Sequence, residues 1–157
     1  MGTALITGAT SGIGLEIAWE LAAERNDLVL VARNRERLEA LAEQMRQIAG
    51  VSIEVLPADL STMEGALTVA ERVSSEDRPV GLLVNNAGVG VGQDFVSGSL
   101  DRELEGLNTM VRAVLITCHA AADTMSRRGY GGILNVASMT ALTAQGTYSA
   151  HKAWVRT

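Results

Sequence analysis

Residues 3–14 read Thr-Ala-Leu-Ile-Thr-Gly-Ala-Thr-Ser-Gly-Ile-Gly. A short apolar run from Thr3 to Thr7 meets Gly8, and beyond it Ile13, Ile17 and Leu21 recur at helical spacing. This pattern predicts a strand, a glycine turn and a helix in succession. Glycines there permit a tight bend and a close approach to the backbone, while the free N–H groups and dipole of the helix start attract phosphate. Gly8, Ser11, Gly12, Ile13 and Gly14 are therefore the candidates for holding a nucleotide pyrophosphate. Their spacing is G-x-x-x-G-x-G rather than the G-x-G-x-x-G dinucleotide fingerprint. A purely structural turn is the competing reading, and its place after the first strand of an α/β pattern favours the phosphate role.

Outward from this unit the alternation continues. Leu28–Ala32 is a continuous apolar run, as in a parallel strand covered on both faces. A helix follows, carrying Leu38, Leu41, Ala42, Met45, Ile48 and Ala49 on one stripe, with Gly50 as its C-terminal cap. Val51–Leu56 alternates around Glu54, as a strand at a sheet edge does. Ser61 and Glu64 have capping-box spacing and open a third helix with Ala66, Val69, Ala70 and Val73 facing inward. Gly81–Val84 is the fourth strand. A long helix is expected from about Ser99 to Met125, its stripe made by Leu100, Leu104, Leu107, Val111, Val114, Leu115, Cys118, Ala122 and Met125. Gly129, Gly131 and Gly132 precede a fifth strand, Ile133–Val136, and Thr147 precedes a last helix. Alternating strands and helices imply right-handed crossovers and a doubly wound parallel sheet, here as one domain over residues 1–157.

The 157 residues are 47% hydrophobic, enough for one sizeable core. A charged fraction of 20% and a net charge of -5 argue against a nucleic-acid partner. No run approaches the roughly 18 unbroken apolar residues of a membrane span. Met1-Gly2 starts like an acylation signal, but Ile6 stands where Ser or Thr is needed. A cytoplasmic protein is expected. Cys118 is the only cysteine, so no internal disulfide forms, and its place on an apolar stripe reads as a buried, inert thiol. His119 and His151 have no ligand-like spacing and read as surface or packing residues, and no metal is expected.

The remaining candidates sit where strands end. Where an acid usually meets a ribose 2′-hydroxyl, this chain has Ala32-Arg33. Arg33 is either a solvated surface side chain or a clamp for a 2′-phosphate, and the clamp favours NADP over NAD. Asp59-Leu60 either meets the adenine or forms a turn before Ser61. Asn85-Asn86-Ala87-Gly88 follows the fourth strand; its amides tie the sheet to the next loop, face a cofactor, or both. Ser138 ends the fifth strand, facing the ligand crevice of an open α/β sheet. Tyr148 and Lys152 are four apart on one helix face. A phenol titrates near ~10, and a nearby cation favours its phenolate. Lys152 is the only lysine in the chain, which singles out its ammonium.

Taken together, Thr7-Gly8-x-x-x-Gly12-x-Gly14, Asn85-Asn86-Ala87-Gly88, Ser138 and Tyr148-x-x-x-Lys152 resemble the short-chain dehydrogenase/reductase family in order and separation. The resemblance implies a Rossmann-type sheet of about five strands in the order 3-2-1-4-5. It also implies NAD(P)H, here NADPH, and a small carbonyl or alcohol substrate. It assigns Tyr148 as general acid/base, Ser138 as the ligand of the substrate oxygen, and Lys152 as the group that lowers the Tyr148 pKa and holds the nicotinamide ribose. Gly8, Ser11, Gly12, Ile13, Gly14, Arg33, Asp59, Leu60, Asn86, Ala87 and Gly88 join Tyr148 and Lys152 around the cofactor. Asn108 matches the family's asparagine that anchors a relay water, or else is a polar mid-helix residue. Family members are usually longer, so the last strands of the fold are expected to be missing and the chain inactive as it stands. The fifth strand would then be an exposed apolar edge. The family commonly assembles through the long helix and the catalytic helix, and the assembly of this chain stays open. A nucleotide-binding module without turnover is the alternative function; a methyltransferase with a similar glycine turn is remote.

Overall fold

The short apolar runs fold as strands because Val, Leu and Ile suit a pleated surface buried on both sides. In the computed structural model, which describes residues 2–157, these are β1 (Thr3–Thr7), β2 (Asp27–Ala32), β3 (Ile53–Pro57), β4 (Val80–Asn85) and β5 (Gly132–Asn135). Met1, with the start motif weighed above, lies outside the described residues. Helices alternate with the strands: α1 (Gly12–Ala23), α2 (Arg35–Ala49), α3 (Met63–Ser74), α4 (Leu100–Leu107), α5 (Ala113–Arg128) and α6 (Gly146–Arg156). The strands are all parallel and ordered β3-β2-β1-β4-β5, the expected Rossmann order.

Alternate residues of each strand feed two cores. Ala4, Ile6, Leu28 and Leu30 meet Ala18, Ala22, Leu38 and Met45 on the face covered by α1 and α2. Leu5, Val29, Val31 and Leu83 meet Ala66, Val69, Ala113 and Ala121 on the face covered by α3 and α5. Truncating a side chain in either core to Ala is expected to cost about 2–5 kcal/mol. β3 is an edge strand, as its alternation suggested, and Glu54 there pairs with Arg72 at 2.9 Å and Arg78 at 3.3 Å. Gly50 caps α2 in the left-handed conformation. No helix among the described residues is long and apolar enough to cross a membrane.

Four sequence expectations are corrected. The third helix is capped by Thr62, whose hydroxyl accepts from the Gly65 N–H at 3.0 Å, because Asp59 has already engaged the Ser61 hydroxyl at 2.7 Å. The long helix is broken into α4 and α5 by a π-turn over Asn108–Arg112. Its buried side is not the leucine stripe. Gly106, Met110, Ala113, Thr117 and Ala121 face inward alongside the expected Val114 and Met125, while Leu100, Leu104, Leu107 and Leu115 point out. Close packing of α5 on α3 and the sheet selects small side chains and turns the leucines away. Ile48 on α2 is exposed for a related reason, lying at the end of the stripe beyond Met45.

Candidate active site

The glycine turn is held from beneath by one hydroxyl. Thr7 Oγ1 donates to the Val84 carbonyl at 3.3 Å and accepts from the N–H groups of Asn86 and Ala87, both at 3.0 Å. The Asn86 amide in turn donates to the Thr7 carbonyl at 3.0 Å and the Gly8 carbonyl at 3.4 Å. A Cβ at Gly14 would collide with that same amide and with the Gly8 carbonyl, so α1 can start this close only with glycine there. Gly12 opens α1 at φ +54° with open space where a side chain would be, and Ser11 leaves the first turn without a side-chain cap. Its N–H groups are thus free for an anion. Asn85 is engaged elsewhere: its amide bonds Asn135 at 2.9 Å and Cys118 Sγ at 3.2 Å, and accepts from Thr117 at 2.9 Å. Cys118 is therefore half-buried in an amide network rather than among apolar groups. Burial raises its thiol pKa, against the hydrogen bonds from Asn135 and Asn85 that lower it.

Two adjoining cavities share Gly8, Ser11, Ala87, Gly88 and Val89 and form one cleft along the C-terminal ends of the strands. The first, about 300 Å³, is bounded by Arg33, Arg37, Asp59, Leu60, Glu105 and Thr109. Arg33 leaves the end of β2 and bonds Glu105 of α4 at 3.1 Å. Asp59 borders the cavity while its Oδ1 accepts from both the backbone and hydroxyl of Ser61, so the turn reading and the wall position hold together.

The second cavity, about 340 Å³, brings Ile13, Asn86, Ala87 and Gly88 together with Ser138, Tyr148 and Lys152. Ser138 caps a single 3-10 turn, Met139–Leu142, and its oxygen accepts from the Thr140 N–H at 3.2 Å and from the Thr140 hydroxyl at 2.9 Å. Both acceptor positions are thereby used and the hydroxyl proton is left to donate. Lys152 is only 5% exposed, its Nζ donating to the Val136 carbonyl at 2.7 Å and lying 6.0 Å from the centre of the Tyr148 ring. Burial lowers its pKa.

The start of α6 is tied to α4. Thr147 donates to Glu103 at 2.5 Å, and the other Glu103 oxygen accepts from Gln93 at 3.0 Å. The Thr147 hydroxyl, with the Gln93 amide, lowers the Glu103 pKa. His151, read from sequence as a surface or packing residue, is buried with Nδ1 unpartnered; desolvation lowers its pKa, partly offset by Glu103. Asn108 borders neither cavity; it begins the π-turn, which packs against α6. Gly12 and Gly14 lie beneath or beside the cleft rather than on its lining. Sequence reasoning missed Thr140, Thr109 and Glu105, none of which carries a local pattern.

The family model described as short chain dehydrogenase matches residues 2–157. A short-chain dehydrogenase from Sphingobium yanoikuyae in complex with NADPH superposes with a TM-score of 0.95 at 35% identity, over 99% of this chain and 61% of that one. The bulky-bulky ketone specific alcohol dehydrogenase from Comamonas testosteroni gives 0.94 at 34% identity, over 99% and 63%. An uncharacterized oxidoreductase of Mycobacterium tuberculosis is 32% identical over 157 residues, 97% of this chain and 62% of the relative. The chain thus spans a little over three-fifths of the length of each. With the strand order, the glycine turn and these matches in agreement, the chain belongs to the short-chain dehydrogenase family.

Proposed function

We propose that this protein is an NADP(H)-dependent oxidoreductase that interconverts a carbonyl and an alcohol by hydride transfer, within a single nucleotide-binding domain. The observation that carries the reading is the continuous cleft, with arginines at one end, uncapped helix amides in the middle and Ser138, Tyr148 and Lys152 at the other. NADPH fits this donor set. Arg33 and Arg37 suit a 2′-phosphate, the turn at Gly8–Gly14 suits the pyrophosphate, and Asp59 and Leu60 border the adenine end. Bound there, the cofactor supplies the hydride. The Sphingobium relative's complex with NADPH supports the same choice.

Ser138 donates its remaining proton to the substrate oxygen and aims that oxygen at Tyr148. Tyr148 gives its hydroxyl proton to the oxygen as negative charge develops there, and takes it back in the oxidative direction. Lys152 has two N–H donors left after Val136, enough to reach a ribose hydroxyl. The π-turn that Asn108 begins packs against α6, which bears Tyr148, so Asn108 is a candidate for relaying the proton outward. Leu100, Leu104, Leu107 and Leu115 point outward from α4 and α5, an apolar surface that is a candidate for association between copies, the assembly itself staying open.

Titration with NADPH and NADH, followed by ketone-dependent oxidation of NADPH, tests the reading. NADPH should bind more tightly than NADH, and wherever turnover is measurable Tyr148→Phe should lower it about 10²- to 10⁴-fold with binding retained. Equal affinities would sink the cofactor choice, and an unchanged rate would remove Tyr148 from the chemistry.

A further inference from the structure

Among the described residues, most ion pairs are local or structural. Arg35–Glu39, Arg46–Glu43 and Arg127–Asp123 each join neighbours on one helix, and Arg72 and Arg78 both serve Glu54 at the sheet edge. Arg33–Glu105 differs, since its partners lie 72 residues apart, on the end of β2 and on α4, and both border the 300 Å³ cavity. Their 3.1 Å contact stands in the wall of that cavity, which Arg37 also lines. Arg33 is the more exposed partner, its side chain 66% exposed against 34% for Glu105, so an incoming phosphate can reach the guanidinium.

The geometry points to Glu105 as a specificity-determining residue that competes with the cofactor's 2′-phosphate for Arg33. This rests on the NADP(H) reading above. Glu105 holds Arg33 in the cavity wall before the nucleotide enters. A 2′-phosphate captures the guanidinium only by taking it from the carboxylate, and a nucleotide lacking that phosphate does not need to. Glu105 therefore narrows the preference that Arg33 creates. Arg37 borders the same cavity and makes no ion pair among the described residues, so it supplies a second charge outside this competition.

The test uses 2′,5′-ADP and 5′-AMP, which differ only in the 2′-phosphate, titrated calorimetrically into the 157-residue chain. Wild type should bind 2′,5′-ADP the more tightly. In Glu105→Gln the ratio of the two affinities should rise by about two- to fivefold, the range an exposed ion pair supports. With Arg33→Ala already in place, adding Glu105→Gln should leave the ratio where Arg33→Ala put it. An unchanged ratio in Glu105→Gln, with wild type still preferring 2′,5′-ADP, overturns the competition and leaves the cofactor reading standing. A rise that persists without Arg33 also overturns it, because Glu105 would then act on the phosphate directly. If wild type shows no preference, the cofactor reading fails first and the inference falls with it.

Discussion

The glycine-turn side of the cleft stands on β1 and β4, each paired on both edges, with Gly8, Asn86 and Ala87 tied back through Thr7, the Asn86 amide and Val31. The Ser138 side hangs from β5, which pairs with β4 alone among the described strands and leaves Ile133 37% and Leu134 45% exposed. One half of the site is thus built into the sheet's interior, and the other leans on an open edge and is steadied by α6. The difference teaches where tolerance lies. Changes under the turn should propagate through the fold, and changes on β5 should stay local.

Gly14→Ala should have the largest effect. Its Cβ meets the Asn86 amide and the Gly8 carbonyl, backbone on one side and a doubly bonded amide on the other, so neither yields cheaply. A loss of about 3 kcal/mol is expected, at the upper end for overpacking, read as a lower urea midpoint at unchanged slope. A loss below about 1 kcal/mol would show that the turn is softer than its bonding suggests, and the contrast between the halves would break.

Thr7→Val comes next. It keeps the shape and removes the acceptor shared by Asn86 and Ala87, leaving two N–H groups unsatisfied at a cost of about 2 kcal/mol. Thr7→Ser should restore most of it, since the hydroxyl rather than the methyl makes the bonds. If Val and Ser variants melt alike, packing and not the hydroxyl fixes the loop.

The same contrast separates what the sequence disclosed from what it hid. The alternation of strands and helices, the glycine turn and the grouping of Ser138, Tyr148 and Lys152 were legible because each depends on local spacing or on strand ends that a parallel sheet collects on one side, while the strand order came with the family resemblance. The inward helix faces were less so. Periodicity marks the largest apolar residues, Ile13 and the α4 leucines, yet Ile13 is 62% exposed and Gly14, Ala18 and Ala22 face the sheet. Close helix-to-sheet packing rewards small residues, so the helical period came out right and the face about one residue off. Glu105 and Thr140 were hidden for another reason. An ion pair across 72 residues leaves no local pattern, and a threonine in a single 3-10 turn looks like any loop residue.

A pH series sharpens the role of α6. His151 is held below its ordinary 6.5 mainly by desolvation, so the unfolded chain binds the proton more readily than the folded one. Stability should then fall as pH drops through 6.5 toward the lower folded value. Glu103, held below 4.5 by Thr147 and Gln93, adds its own loss only in the more acidic window beneath that value. His151→Gln should flatten the fall in urea midpoint between pH 7.5 and 5.5 while leaving the loss below pH 4.5 in place. A slope that His151→Gln does not change would mean that other groups carry the dependence.

The smallest effect is expected on the open edge, and a matched pair measures it. Val84 and Leu134 face each other in the β4–β5 register, one fully buried and one nearly half exposed. Val84→Thr puts a hydroxyl among Ile6, Leu30 and their neighbours, at about 1–3 kcal/mol unless a backbone carbonyl accepts from it. Leu134→Thr puts a β-branched side chain, which suits a strand, on a surface that water already reaches, and should stay within about 0.5 kcal/mol. Within the 157 residues β5 pairs with β4 alone among the described strands, and unpaired backbone groups beside apolar side chains are a liability in association. Leu134→Lys should therefore leave the urea midpoint nearly unchanged while reducing light scattering on concentration. A large drop in midpoint would show that β5 is as deeply integrated as β1 and β4, and that the two halves of the cleft share one kind of support.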